Sequence, residues 1–275
     1  MVYRFKNIDM SIIFSIDNSF DKLSIHRVKP MHILNRIYSL YALILFAILF
    51  LLLLPFFLIL MMSSDRHPWL YKLNRLWAKL FFTLIFMPVK VVLEAPLSSG
   101  QQYIFCANHF SYLDIPILGY IPIPAVFIGK SSLAKVPVFG FMFRKIHIPV
   151  DRSNLRSKYQ VLELSQDVLS RGLSLIIFPE GGILSSQPPQ MNKFKDGAFR
   201  TAIEQQKPIV PITIPYNWII LRDDGKFILR WNRAVVKFHK PIETVGMNLD
   251  ELDKLKAKVF AIIDSELADY NSNEN

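Results

Sequence analysis

An uncharged apolar segment, LYALILFAILFLLLLPFFLILMM, occupies positions 40–62 of this chain of 275 residues. As a helix it would measure about 35 Å, which is long enough to cross the hydrocarbon core of a bilayer. The segment is too long and begins too late for a signal peptide, so we expect the mature protein to keep it. Basic residues lie on both sides of it and Pro55 interrupts it. A simple crossing and a bent, re-entrant insertion therefore both stay open.

The next segment, Trp69 to Met87, has the pattern of an amphipathic helix. Its cations Lys72, Arg75 and Lys79 recur at helical spacings, with leucine and tryptophan between them. Beside the apolar segment, this pattern indicates a helix at the membrane interface with aromatic side chains at headgroup depth. An ordinary amphipathic core helix is the alternative. The predicted parts of the chain are a basic N-terminal extension at 1–36, a membrane anchor at 37–88 and a further domain at 89–275.

Charge and cysteine content limit the classes of function. The chain has 32 Lys and Arg against 22 Asp and Glu, a formal net charge of +10, which suits contact with anionic lipid headgroups or phosphate-bearing substrates. No zinc-knuckle, RNP or helix-turn-helix pattern occurs, so we expect no nucleic-acid partner. The single cysteine, Cys106, excludes an intramolecular disulfide and a cysteine-rich metal site. The histidines other than His109 have no ligand-like spacing, and we predict no metal.

After Pro88 the pattern changes to short apolar runs separated by helical stretches. Such runs predict strands buried on both faces, and hence an α/β domain with a mixed, mostly parallel sheet flanked by helices. The predicted strands are Val89–Leu93, Tyr103–Ala107, Ala125–Ile128, Leu173–Phe178, Ile209–Ile214 and Ala234–Phe238. The predicted helices are Leu155–Arg171, Ala198–Gln206 and Asn248–Tyr270. Pro211 places the fifth strand at an edge of the sheet or at a bulge.

A histidine and a carboxylate follow the second of these strands, in the stretch NHFSYLD at 108–114. A neutral imidazole at His109 can accept a proton near pH 7, and a carboxylate at Asp114 could hold its other ring nitrogen and so fix the tautomer. The same residues allow a plainer interpretation, because Ser111 and Asp114 also fit a capping pattern at the start of a helix. The spacing alone does not decide between them.

Three further stretches carry residues suited to binding. Phe178–Pro179–Glu180–Gly181–Gly182 ends a predicted strand, and its glycines would let backbone amides approach an anion. The stretch from Lys130 to Arg152 supplies cations near the same edge of the sheet. The third is the apolar run at 209–215. Taken singly, these are a strand-ending turn, solvated surface charges and a buried strand.

In this order the stretches resemble the membrane-associated glycerolipid acyltransferases, most closely the 1-acylglycerol-3-phosphate acyltransferases. Residues 108–114 resemble the family's NHxxxxD block, and Lys130 to Arg152 its second block, which ends in arginine. Phe178–Gly181 resembles the FPEG block, 210–215 the apolar fourth block, and 193–198 an FKxGA-type stretch that often follows FPEG. The resemblance covers roughly residues 80 to 240.

The resemblance implies a fold, a reaction and a set of site residues. It implies a glycerolipid-acyltransferase-like sheet preceded by a membrane-embedded helical segment, and transfer of an acyl chain from a thioester to the free hydroxyl of a lysophospholipid. His109 would be the general base and Asp114 its orienting partner, with no acyl-enzyme. The implied contacts of the acceptor are Glu180, Gly181, Lys130 and Arg152, and to these we add Asn108, Gly182 and Lys193 as expected contacts.

The chain departs from the family pattern at one place. FPEG is commonly followed by threonine and arginine, whereas this chain has Gly182 and Ile183, so a cation expected for the acceptor's phosphate is missing. Lys193 or Lys195 could replace it. Otherwise the acceptor carries a different headgroup, as a lyso-aminolipid does.

The remaining expectations concern partners, location and alternatives. We expect no cofactor, since acyl carrier protein or coenzyme A would bring the acyl chain as a co-substrate, and we expect lysophosphatidate as the acceptor. Membrane lipids are the expected surroundings, at the cytoplasmic face of an inner or plasma membrane. Cys106 as a covalent nucleophile is an unfavourable alternative, because a cysteine in an apolar strand is usually inert. A non-catalytic, membrane-tethered lipid-binding protein is the alternative from another class.

Overall fold

The computed structural model describes residues 32–62, 67–136, 138–151 and 154–272. Two long helices come first, α1 (His32–Leu60) and α2 (His67–Leu84), and strands then alternate with helices. The strands are β1 (Val89–Leu93), β2 (Ile104–Ala107), β3 (Ala125–Lys130), β4 (Ile148–Val150), β5 (Ser174–Ile177), β6 (Ile209–Thr213) and β7 (Ala234–Phe238). The later helices are α3 (Asp114–Ile117), α4 (Phe139–Ile146), α5 (Leu155–Ser170), α6 (Gly197–Glu204), α7 (Asn217–Ile220) and α8 (Leu252–Ser272), with 3-10 turns at Leu118–Tyr120, Ser131–Lys135 and Leu249–Glu251.

The seven strands form one mixed sheet in the order β1-β7-β6-β2-β5-β3-β4. Strands β2 to β6 run parallel, and β7 pairs antiparallel with β6 and parallel with β1. The predicted α/β fold with a mixed, mostly parallel sheet is confirmed, and each of the six predicted strands is present. Strand β4 is an addition to the prediction. Since β2 to β6 point the same way, the loops at their carboxyl ends meet at one edge of the sheet.

Alternate residues of the strands face two separate hydrophobic cores. On β2, Phe105 and Ala107 face one core, whereas Ile104 and Cys106 face the other, as the two-residue period of a strand requires. Helices α5, α6 and α8 cover the second core. Burial on both faces explains why these strands are apolar throughout rather than alternating.

Helices α1 and α2 cover the other face of the sheet. Trp77 and Phe82 of α2, with Ile85 directly after it, belong to the same core as the strands, so the core-helix interpretation holds for this side of α2. The predicted boundary at 88 and 89 coincides with the start of β1, but the packing of α2 joins the predicted anchor to the sheet. The predicted extension at 1–36 lies outside the described residues apart from 32–36.

Helix α1 is the one helix among the described residues that is long and apolar enough to cross a membrane, and few of its residues are buried. It continues through Pro55 without a break. Near its start, the Ser39 hydroxyl accepts a hydrogen bond from the backbone of Leu229 at 2.8 Å. Near its end, Phe57 packs with Leu70 of α2 and Met142 of α4. The helix is therefore held against the rest of the protein at two places about 27 Å apart along its axis.

Pro211 indicated either an edge strand or a bulge. Strand β6 lies inside the sheet, so the edge alternative is wrong and the bulge is present. Ile209 bridges to Ile242, whereas Ile212 pairs with Phe238. The segment opposite β6 thus has one extra residue between these two pairs. At this irregularity the Pro211 carbonyl accepts the His239 amide at 3.0 Å, and the missing proline N–H disturbs no regular pair.

Candidate active site

The predicted base and its partner meet at the carboxyl edge of the sheet, directly after β2. His109 Nδ1 lies 3.0 Å from Asp114 Oδ2. The same carboxylate oxygen accepts the backbone amides of Phe110 at 2.8 Å and Ser111 at 2.9 Å. Asp114 is fully buried, whereas 10% of the His109 side chain stays exposed. Because a carboxylate only accepts, it selects the tautomer with the proton on Nδ1 and leaves Nε2 free as a base.

The capping interpretation holds only for the turn before the helix, where it involves the same carboxylate, since no side chain caps the helix at its N-cap residue, Leu113. Helix α3 begins at Asp114. The Ser111 amide donates to Asp114 Oδ2, and the Ser111 hydroxyl accepts the Leu113 amide at 3.1 Å. These bonds bind a helix start much as a capping box does. The two interpretations of the stretch are therefore not exclusive, since Asp114 holds the turn and the imidazole together.

Glu180, in the turn after the neighbouring strand β5, supports the backbone of His109. Its Oε1 accepts the His109 amide at 2.8 Å, and its Oε2 accepts the Asn192 amide at 2.9 Å. The side chain is fully buried. Burial raises the pKa of Glu180 to about 7, against the two amide hydrogen bonds and His109, which lower it. The carboxyl thus joins three segments of the site at a position where ionisation is costly.

Asn108, the first residue after β2, binds the loop to the end of the other neighbouring strand, β6. Its side-chain amide donates to the Ile214 carbonyl at 2.9 Å and its oxygen accepts the Ile214 amide at 2.7 Å. This pair connects the ends of β2 and β6. Asn108 and Glu180 expose no surface in this structure, so what it shows for both is a positioning role. Their contact with the acceptor stays a prediction.

The aromatic residue of the FPEG block lies against the imidazole. The rings of Phe178 and His109 are stacked, with centroids 3.8 Å apart and planes 15° from parallel. The stack restricts rotation of the imidazole about its own axis. The Asp114 contact sets the direction of the ring, and Phe178 sets its plane.

The turn after Glu180 brings a lysine to the site. Gly181 has φ +91°, and a Cβ there would lie 2.6 Å from Lys195 Nζ, so the turn needs glycine for its conformation and for room. The ammonium of Lys195 therefore lies over this turn. Lys193 and Lys195 are both exposed, and Gly182 is partly buried beside the turn. Of the two lysines that could replace the missing arginine, the contact favours Lys195.

The other predicted cations belong to the strands β3 and β4. Lys130 is exposed at the last position of β3, on the same edge of the sheet as His109. Arg152 lies outside the described residues. A phosphate contact by either residue stays a prediction.

Asn217 is a member of the site that the sequence analysis missed. Its side-chain amide donates to Asp114 Oδ1 at 2.9 Å, so both oxygens of that carboxylate have partners. Asn217 is fully buried at the start of α7, after β6. No motif marked it, and the only available signal was its place after a strand that ends at the same edge.

Cys106 lies in the second core, away from the site. It is fully buried and faces Ile104's side of the sheet. Burial raises the pKa of its thiol well above the usual value, which suppresses the thiolate that a nucleophile needs. This environment favours the packing interpretation.

Another cluster among the described residues combines groups that could bind a metal ion, namely Glu94, His239 and Glu266. Lys237 Nζ lies 3.0 Å from Glu94 and 2.6 Å from Glu266, so a cation already lies between the two carboxylates. His239 Nε2 lies 2.8 Å from the Thr213 hydroxyl. These contacts form a closed ion-pair network, and the absence of a metal stays a prediction.

Comparison with known proteins agrees with the family resemblance of the sequence blocks between positions 108 and 215. The Acyltransferase family model matches residues 88–215. A protein of Chlamydomonas reinhardtii named 1-acyl-sn-glycerol-3-phosphate acyltransferase is 30% identical over 237 residues, which are 82% of this chain and 70% of that protein. A chloroplast protein of the same name from Brassica napus is 29% identical over 67% of this chain, and the alignment spans about half of its length, 53%.

Two further matches are a relative with another acceptor in its name and a solved structure. The lyso-ornithine lipid O-acyltransferase of Pseudomonas aeruginosa is 28% identical over 154 residues, covering 56% of this chain and 57% of that protein. The crystal structure of the 1-acyl-sn-glycerophosphate acyltransferase of Thermotoga maritima superposes with a TM-score of 0.70, at 21% identity, over 86% of this chain and 98% of that one. The structural match supports the fold. The chain belongs to the acyltransferase family, and within it this enzyme is similar to 1-acyl-sn-glycerol-3-phosphate acyltransferases.

Proposed function

We propose that the enzyme transfers an acyl chain from an acyl thioester to the free hydroxyl of lysophosphatidate, giving phosphatidate, with His109 as general base. The observation that carries the proposal is the dyad. Its Nδ1 is held by a buried carboxylate, which leaves Nε2 as the free nitrogen on a side chain that keeps 10% of its surface exposed. The names of the relatives support the lysophospholipid acceptor.

The reaction requires of the enzyme only proton transfers at one nitrogen, His109 Nε2. His109 Nε2 takes the proton of the acceptor hydroxyl while that oxygen attacks the thioester carbonyl. Asp114 stabilises the imidazolium that forms. When the tetrahedral intermediate collapses, the carbon–sulfur bond breaks and the thiolate takes the proton from Nε2. The acceptor is the nucleophile, so the enzyme forms no covalent intermediate.

Cations at the carboxyl edge of the sheet would bind the acceptor's phosphate. Lys195 over the FPEG turn and Lys130 at the end of β3 are the described candidates. Arg152 is a further one on sequence grounds, because a guanidinium binds a phosphate with two parallel hydrogen bonds. The positive charge of the chain would also attract acidic acyl carrier protein or the phosphates of coenzyme A.

We place α1 in the plane of one leaflet at the cytoplasmic face. Both ends of the helix contact the same folded domain, at Ser39 and at Phe57. A helix held in this way cannot leave the domain to cross the whole bilayer. Its outward face carries large exposed apolar side chains such as Leu43, Leu51 and Phe56, which suits insertion at the headgroup boundary. The site would then meet lipid acceptors without extracting them into water.

Radiolabelled acyl transfer by the wild type and His109→Ala tests the proposal. Loss of a general base costs about 10²–10⁴-fold in rate, and we expect a loss in this range with every donor and acceptor. His26→Ala serves as a control for histidine replacement away from the motif. An unchanged rate in His109→Ala would refute the mechanism.

The second candidate acceptor is a lyso-aminolipid such as lyso-ornithine lipid. Gly182 and Ile183 in place of the family's threonine and arginine favour it, as does the relative in Pseudomonas aeruginosa. A panel of lysolipids with one donor separates the two candidates. Activity with lyso-ornithine lipid and none with lysophosphatidate would select the second.

A further inference from the structure

Residues 115–150, which lie between the catalytic carboxylate and the end of β4, contain no Asp or Glu and four Lys or Arg. Within this stretch, at positions 136–141, four large apolar side chains lie close together on the surface, and we name them the apolar patch. They are Val136 (45% exposed), Val138 (54%), Phe139 (39%) and Phe141 (46%). Lys135, Arg144 and Lys145 are exposed around them. An apolar surface with only cations at its rim is suited to an anionic lipid surface.

The apolar patch stands on a packed support. The Gly140 amide donates to the Val136 carbonyl at 2.7 Å, and the Arg144 guanidinium donates to the Ala134 carbonyl. A Cβ on Gly140 would collide with the backbone of Ala134, so the 3-10 turn and α4 approach as closely as a glycine allows. On the other side of α4, Phe143 is buried. The exposed side chains are thus presented by a fixed element.

The apolar patch is continuous with the helical anchor. Met142, the residue after Phe141, packs with Phe57 of α1 and Leu70 of α2, and Ile146 contacts the same cluster. The exposed apolar side of α1 therefore ends beside the apolar patch. Large exposed apolar surfaces on a soluble protein mark a contact surface, and this one borders the segment that we place in a leaflet.

We propose that the apolar patch inserts into the same anionic leaflet as α1 and forms a second membrane contact. The cations around it would bind acidic headgroups, since among the described residues Lys135, Arg144 and Lys145 take part in no ion pair. The inference rests on the proposed membrane insertion of α1. The second contact would lie at the β3 and β4 end of the sheet. Because two contacts restrict how the protein can rotate on the membrane, they would together set the tilt of the carboxyl edge of the sheet relative to the bilayer.

Site-directed fluorescence on the full chain tests the proposal. In a Cys106→Ala background, NBD is attached at Phe141→Cys, and the protein is bound to phosphatidylcholine–phosphatidylglycerol vesicles that contain nitroxide-labelled lipid. We expect a blue shift and loss of most of the emission. Leu43→Cys on α1 reports anchor insertion. Val245→Cys, which is 73% exposed near the Ile209–Ile242 bridge at the opposite edge of the sheet, is the matched apolar control and should not be quenched.

The three labels separate the failures. Quenching at position 43 without quenching at 141 would overturn the second contact and leave the anchor in place, whereas no quenching at either would refute the insertion of α1 itself. Protection of the label at 141 by acyl carrier protein, with no response to vesicles, would identify a protein-docking surface and overturn the proposal.

A charge test is independent of the label. The double variant Lys135→Gln/Lys145→Gln should raise the apparent KM for acceptor in anionic vesicles by up to roughly fivefold per lysine, with kcat unchanged. Lys254→Gln/Lys258→Gln on the exposed side of α8 removes the same charge elsewhere and should raise it less. Equal effects of the two double variants would show that only the net charge matters, against the proposal.

Discussion

Replacing Glu180 by glutamine should change how stability depends on pH. The carboxyl is fully buried, and its two oxygens accept the amides of His109 and Asn192. Burial raises its pKa from 4.5 to about 7 in the folded protein. Between these values the folded protein binds a proton at this site that the unfolded chain has released. Stability therefore falls as pH rises through this window.

The size of the effect follows from the shift. One pKa unit corresponds to about 1.4 kcal/mol, so the shift corresponds to about 3 kcal/mol lost between pH 4.5 and pH 8. Glutamine stays neutral throughout and has no such loss. It can accept the His109 amide through its oxygen, but its NH2 group cannot accept the Asn192 amide, which costs about 1–3 kcal/mol. Glu180→Gln should be the less stable protein at pH 5 and should approach or exceed the wild type at pH 8.

Denaturant unfolding followed by tryptophan fluorescence in one detergent, at intervals from pH 4.5 to pH 8, measures this difference. The quantity to compare is the free energy of unfolding of the wild type minus that of the variant at each pH, because other titrating groups cancel. Glu163→Gln replaces an exposed glutamate of α5 and should give a nearly constant difference. A constant difference for Glu180→Gln as well would show that burial does not raise this pKa.

Three other predictions concern the support of Asp114, the buried cysteine and the lysine over the FPEG turn. Asn217→Ala removes the donor to Asp114 Oδ1, and loss of such a charge-assisted bond should lower kcat by about 10- to 100-fold at unchanged KM; an unchanged kcat would remove Asn217 from the site. Cys106→Ala should keep full activity, because its thiol is buried in the second core, and inactivity in a folded variant would revive covalent catalysis. Lys195→Ala should raise the KM for lysophosphatidate more than Lys193→Ala, because the Lys195 ammonium lies over Gly181. Equal KM values in both variants and the wild type would exclude a lysine substitute for the missing arginine.

The fold follows from the sequence where burial imposes a pattern along the chain. Strands β2 and β6 are buried at every position, so continuous apolar runs reveal them. Strand β4 has three residues with Pro149 at its centre, and no run of this length predicts a strand. It exists because Ile148 pairs with Ile128 of β3, which is a tertiary contact. The bulge opposite Pro211 likewise depends on the partner of β6.

The site divides in the same way. His109 and Asp114 are only five residues apart, so a local sequence motif predicts the pair. The supporting contacts join distant parts of the chain, since Asn217 reaches Asp114 across 103 positions and Asn108 reaches Ile214 across 106. Chemical type did not identify Asn217, because a buried asparagine after a strand has no local pattern. What could be foreseen was the edge of the sheet at which such a residue would lie.

Three side chains support the loop that carries His109 and Asp114, and none of them binds His109 Nε2. Glu180 of the β5 end holds the His109 amide, Asn108 holds the β6 end, and Asn217 holds Asp114. Each bond involves backbone or a carboxylate. Among the described residues, the imidazole has one polar contact, from Nδ1 to the Asp114 carboxylate. Since buried polar groups with satisfied partners resist displacement, the loop is fixed before any substrate binds. Nε2 is then the one nitrogen of the ring free to exchange a proton, and single replacements of the supports should lower kcat through misplacement of this atom rather than through weaker binding of either substrate.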